Sequence, residues 1–253
     1  MAATALHIAS MLALGAACGL AGGLFGVGGG VIAIPIVGML FALDQQMAQG
    51  TVLLMVVPNV GLGFWHYRQR FAIDLRLAAV IGLAALVVTY PVARVATGVD
   101  PHSLRLAFAA FLVALSAVIA YRTWRGAVAA PARRPLVRSG AALVGAIGGV
   151  VSGFFGVGGA FIAPPLLTGL FAVRQAEAQG LALALVCPGT IAALSAYAEA
   201  GQVAWGIGLP LAIGGTATIS AGVAVAARFP ERRLRLAFCA FLFVSAVLLA
   251  LHG

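Results

Sequence analysis

The sequence predicts an all-α polytopic membrane protein built from two inverted-topology repeats. Each repeat has five apolar segments, with Gly-broken, short or re-entrant helices near the midplane. Three observations carry this prediction. Of 253 residues, 63% are hydrophobic and only 8% charged, where a soluble domain carries about 25% charged residues. The chain matches itself at an offset of 130 residues, with 23 identities over the 53 positions that pair 15–67 with 145–197. Its basic residues, all of them arginine, fall unevenly between the apolar segments.

The elements follow in order. The first segment, about 6–25, lies in a stretch without charge from Met1 to Leu43. It has no basic n-region and continues too far for a cleavable signal peptide. The second, 31–43, is only about 13 residues, or ~20 Å of helix, too short to cross a ~30 Å hydrocarbon core comfortably. Segments 47–65, 77–97 and 104–121 complete the first copy. The second copy repeats them near 139–155, 161–173, 178–198, 204–227 and 234–251. This divides the chain into a membrane repeat at 1–121, an Arg/Pro-rich linker at 122–138 and a second repeat at 139–253.

The arginines orient the copies. If the first two segments of each copy run there and back, each copy makes an odd number of crossings and the copies are inverted. Twelve arginines then share one face and only Arg94, Arg105 and Arg174 lie on the other. If those segments form one broken span, the copies are parallel and the split is eight to seven. The positive-inside rule selects the inverted arrangement, with the linker cytoplasmic and both termini periplasmic. Ten short spans and eight spans plus two re-entrant segments both satisfy it.

The pairs that matter for chemistry are FGVGGG (25–30) and FGVGGA (155–160). A helix opening at Val31 after Gly28, Gly29 and Gly30 leaves its first N–H groups without intrahelical partners and presents the positive end of its dipole. Within a membrane cavity that is an anion site. Gly158, Gly159, Ala160 and Phe161 are the equivalents, and inversion brings the two positive ends toward one centre. Polar side chains inside the spans add donors: Gln49 and its equivalent Gln179, with Thr51, Asn59 and Thr190. Helix–helix hydrogen bonding competes with this role for each of them, as interfacial anchoring does for the equivalent Tyr67 and Tyr197.

Other classes lose support. There is no lysine to complete a phosphate loop, and GVGGG lacks the dinucleotide spacing and any βαβ context. The arginines sit in loops between spans, which points to the bilayer and away from nucleic acid. Cys18, Cys187 and Cys239 are scattered, and no His, Cys or carboxylate spacing suits a metal or other cofactor. All six acids lie at segment ends, which disfavours carboxylate cation sites and proton relays. Coupling to H⁺ or Na⁺ then rests on backbone carbonyls or the anion's own protonation. An intramembrane enzyme needs a nucleophile–base pair or metal cluster, and none is visible.

Inverted repeats with discontinuous helices are a transporter architecture. GVGGGVIAIP (26–35), GVGGAFIAPP (156–165), QGT (49–51) and EAGQVAW (199–205) resemble the TauE/SafE-type sulfite exporters over essentially the whole chain. That resemblance implies secondary transport of small sulfur-containing anions, such as sulfite, thiosulfate or organosulfonates, across a bacterial inner membrane. Another small oxyanion or a carboxylate, carried or conducted by a channel, is the alternative.

Overall fold

Nine helices follow the apolar segments in a computed structural model that describes residues 2–25, 28–70, 73–124, 137–157, 159, 162–171, 173, 175–226, 236–237, 239–240 and 242–247. They are α1 (Ala2–Phe25), α2 (Gly30–Leu40), α3 (Gln45–Arg70), α4 (Leu75–Ala96) and α5 (Pro101–Trp124), then α6 (Arg138–Phe155), α7 (Ala163–Leu170), α8 (Gln175–Glu199) and α9 (Trp205–Ala226). The pieces described between 236 and 247 are helical too, within the fifth segment expected for the second copy. Among the described residues seven helices, all but α2 and α7, are long and apolar enough to cross a membrane, and no strand occurs. Large apolar side chains such as Leu83, Val87 and Val95 are exposed on α4. In lipid this outer surface carries no hydrophobic penalty, and helices satisfy their own backbone groups.

Three of the acids at segment ends, all aspartates, turn out to be helix caps. Asp44 accepts the Met47 N–H at 2.7 Å, ahead of α3. Asp74 accepts the Arg76 and Leu77 N–H groups at 2.8 and 3.4 Å, opening α4. Asp100 accepts the Ser103 N–H and hydroxyl at 2.9 and 3.0 Å, opening α5. Those bonds, the backbone one foremost, hold the Asp100 carboxyl below the usual carboxylate range. Each cap satisfies orphan donors and sets a negative charge at the positive end of a helix.

Packing between the copies is reciprocal. Glycines at every fourth position of α1 press on α9: a Cβ on Gly15 would sit 2.2 Å from Leu211 O, and one on Gly19 2.2 Å from Gly215 O. On Gly23 it would sit 2.3 Å from Ile219 O. The equivalent stripe of α6 presses on α4: an added Cβ would sit 2.4 Å from Ile81 O at Gly145, 2.9 Å from Ala85 O at Gly149 and 2.5 Å from Thr89 O at Gly153. Small residues let the two backbones touch, which is how helices associate where water supplies no hydrophobic drive. The first long helix of each copy therefore packs in the other copy, running parallel to its partner.

Equivalent helices α3 and α8 cross in opposite directions: Gln49 meets Tyr197, Gly63 packs on Leu183 and Gly180 packs on Ile73 and Tyr67. Meanwhile α3 runs parallel to α9, with Thr51 at Ala204 and Asn59 at Thr216. So α1 and α3 point the same way, and α2 must return between them. It does: Gly29 lies on Cys18, and the Phe41 ring is 6.0 Å from His7 near the start of α1. In the second copy Gly159 lies on Gly148 and Phe171 on Gly140, so α7 returns along α6. With 11 and 8 residues, α2 and α7 reach about 16 and 12 Å, well short of a span.

Candidate functional site

The first glycine break is built by backbone conformation. Gly28 and Gly29 have φ of +70° and +88°, a region open to glycine and strained for other residues. They reverse the chain at the end of α1, and α2 opens at Gly30, one residue before Val31. The first bond of the helix runs from the Ala33 N–H to Gly29 O at 3.0 Å. The N–H groups of Gly30, Val31 and Ile32 precede it, all three residues are buried, and no side chain caps them. Buried and uncapped helix ends are uncommon, and this one presents three donors and the positive end of a dipole.

The second break has the same turn chemistry but fewer donors. Gly156 and Gly159 have φ of +65° and +61°. Gly158, Ala160 and Phe161 lie outside the described residues. The helix expected at Phe161 begins instead at Ala163, with Ile162 as its N-cap. Pro164 and Pro165 explain the later start, because proline suits the first turn of a helix. Neither has an N–H, so α7 offers its first turn mainly through Ala163. The two helix ends, expected to be equal, differ chemically, with α2 offering more first-turn N–H groups than α7.

The two breaks meet. A Cβ on Gly30 would lie 3.7 Å from Val157 Cα and 3.9 Å from Gly156 O. Gln49 runs along the same turn, since a Cβ on Gly156 would lie 3.1 Å from Gln49 Cβ and 3.5 Å from its Cγ. Gln49 is fully buried, its Oε1 accepts the Tyr197 hydroxyl at 2.6 Å, and its Nε2 has no partner among the described residues. Asn59, at the middle of α3, donates from Nδ2 to Gly28 O at 3.2 Å and accepts the Thr216 hydroxyl at 3.3 Å. A cavity of ≈ 10 Å³ beside Asn59 and Gly28 is lined also by Gly22, Gly63, Tyr67 and Leu183. That holds about one water, and its lining runs toward the end of α3 that bears Tyr67.

The remaining polar residues part company. The Thr190 hydroxyl donates to its own helix, to Val186 O at 2.9 Å and Cys187 O at 3.2 Å, a back-bond that leaves no proton for a ligand. Thr51 Oγ1 accepts the Ala204 N–H at 2.9 Å and so ties α3 to the start of α9. Gln179 is half-buried on α8, next to the Gly180 that packs on Tyr67, and stands away from the meeting point of the breaks. Two residues were missed. Tyr197 is fully buried on Gln49, not an interfacial anchor. Ser152, in the last turn of α6, is fully buried with no partner for its hydroxyl among the described residues. Comparing mismatched positions of the duplication would have found it, because a hydroxyl there replaces Gly22 of the first copy.

Known proteins match the sequence over most of its length. The family model described as "Sulfite exporter TauE/SafE" matches residues 11–249. A probable membrane transporter protein of Xylella fastidiosa (strain 9a5c) is 26% identical, over 85% of this chain and 83% of its own. One from Methanocaldococcus jannaschii is 25% identical, over 95% of this chain and 94% of its own. No solved structure matches. With the match spanning nearly the whole chain, this multi-helix membrane protein belongs to the TauE/SafE sulfite exporter family of transporters.

Proposed function

We propose that the chain is a secondary transporter of small sulfur-containing anions such as sulfite, thiosulfate or organosulfonates, working by alternating access in a bacterial inner membrane. The observation that carries this reading is the buried, uncapped start of α2 where the two glycine breaks touch. The N–H groups of Gly30, Val31 and Ile32 precede the first bond of α2, and the Gln49 amide, without a partner among the described residues, lies along the neighbouring Gly156 turn. A tetrahedral or pyramidal oxyanion would supply several acceptor oxygens at once. Gly28, Gly29, Gly30 and Val31 would form the first wall, Gly159 and the turn around it the second, and Asn59 would hold Gly28 in place. H⁺ or Na⁺ coupling would use carbonyls, hydroxyls or the anion itself, because the described acids are helix caps or lie at helix ends.

The two copies are read as inverted repeats, at 1–121 and 139–253, about an axis in the membrane plane. The antiparallel crossing of α3 and α8 and the reciprocal α1–α9 and α6–α4 pairs support that reading. One end of the molecule is tied between the copies: Tyr90 and Arg94 bond Glu199 at 2.9 and 3.1 Å, and Gln202 bonds Thr97 O at 3.1 Å. The lining of the small cavity lies toward the opposite, Tyr67-bearing end. The arginine pattern assigns the Glu199 end to the periplasm and the linker at 122–138 to the cytoplasm.

Two measurements test this. In proteoliposomes, counterflow of labelled sulfite, thiosulfate or methanesulfonate is expected to saturate and to be accelerated by the same anion on the far side. Unsaturated, purely electrogenic flux would make the protein a channel, and no flux of any of the three would end the sulfur-anion assignment. Impermeant thiol labelling is expected to reach Asp44→Cys from outside and both Arg134→Cys and Arg232→Cys from inside. Opposite sidedness of the last two would refute inverted repeats.

A further inference from the structure

We infer that Tyr197 is a positioning residue that fixes which end of the Gln49 amide faces the second glycine break. The inference rests on the anion-transport reading above and adds to it the reason the site prefers negative charge. A primary amide has an acceptor end and a donor end of nearly equal shape, so its orientation is decided by its neighbours. Gln49 is fully buried on α3 and Tyr197 fully buried on α8. Their bond, Tyr197 hydroxyl to Gln49 Oε1, is 2.6 Å.

The phenol has one proton to place, and a buried hydroxyl without an acceptor is costly. Giving that proton to Oε1 consumes the acceptor end of the amide. What remains is the NH₂ group, on a side chain that runs along Gly156, and it has no partner among the described residues. A fully buried donor without a partner calls for an explanation, and this one lies along the second glycine break. Two glycines permit the arrangement. Gly50 lets the Tyr197 Cβ approach α3, as a Cβ there would lie 3.1 Å from it, and Gly156 leaves room for Gln49. In the flipped orientation the carbonyl oxygen would face the site and repel an oxyanion. Tyr197 thus sets the sign of this wall without itself touching the substrate.

The test measures uptake of labelled sulfite, thiosulfate and methanesulfonate into proteoliposomes bearing wild type, Tyr197→Phe, Gln49→Glu, Gln49→Ala and the Tyr197→Phe/Gln49→Ala pair. For the anion that wild type carries, Tyr197→Phe is expected to raise KM about tenfold, the effect of a lost buried hydrogen bond, with kcat within about twofold. The same change in the Gln49→Ala background is expected to add nothing. Gln49→Glu keeps the shape but leaves a carboxylate oxygen after Tyr197 has donated, and is expected to lose uptake with its melting temperature preserved. A purely structural Tyr197 would lower melting temperature and the active fraction but leave KM alone. Unchanged KM in Tyr197→Phe, an equal KM rise in the Gln49→Ala background, or wild-type KM in Gln49→Glu overturns the positioning role while transport stands. No uptake by wild type overturns both.

Discussion

Alanine at Gly29 or at Gly159 is expected to abolish transport, while alanine at Gly201 leaves it intact. All three glycines have positive φ: +88°, +61° and +71°. The left-handed conformation costs an L-residue roughly 1–2 kcal/mol, and all three variants share that cost. The difference is what the new methyl group meets. At Gly29 it would lie 2.7 Å from Cys18 O and at Gly159 2.4 Å from Gly148 O, both backbone atoms of the preceding helix, while at Gly201 nothing lies within 4 Å. A side chain can rotate out of such a contact; a helix carbonyl cannot. Relief requires the returning helix to move off α1 or α6, which pulls the two breaks apart. A displacement on that scale is expected to lower initial uptake on the order of a hundredfold. Reconstituted uptake rates and detergent melting curves for the three variants decide the matter. Gly29→Ala or Gly159→Ala with uptake near that of Gly201→Ala would remove the breaks from the transport site.

The second large effect concerns the glycine stripes. Gly19→Val and Gly149→Val are expected to prevent the helical pairs α1–α9 and α6–α4 from closing. Even a Cβ at Gly19 would sit 2.2 Å from Gly215 O and 2.5 Å from its Cα. Overpacking a core typically costs 1–3 kcal/mol, occasionally more, and contact with two backbone atoms belongs at the upper end. The expected readout is loss of the monodisperse species in detergent, or a melting temperature many degrees lower. Gly61→Ala is the control. A Cβ there meets nothing within 4 Å, so the helix should gain about 0.5–1 kcal/mol from alanine. If Gly19→Val melted where Gly61→Ala does, close backbone approach would not be what joins the copies.

Much of this was legible in residue order alone. Hydropathy and the duplication located nine helices to within a few residues, and the short second segment with its glycines announced a break. Tertiary partners were not legible. Thr51 and Thr190 look alike as hydroxyls in a span, yet one receives the N–H that opens α9 and the other bonds its own helix. That difference depends on what packs alongside, which residue order does not encode locally. Tyr197 resembled an interfacial anchor because it falls near a segment end. It is buried because α8 crosses α3 there. The proline pair at 164–165 was visible, but its consequence follows only from seeing α7 start at Ala163: a second helix end almost without N–H groups.

The exchanged pairing of α1 with α9 also constrains how the molecule is made. A nascent chain emerges from its amino terminus, and α1 enters the bilayer while α9 is still untranslated. Gly19 cannot meet Gly215 until nearly the whole chain has been synthesised, so the glycine face of α1 must wait, against lipid or a helper protein, through most of translation. The pairing of α6 with α4 carries no such delay, because α4 is already in place when α6 arrives. The α4–α6 pair can therefore form well before the α1–α9 pair.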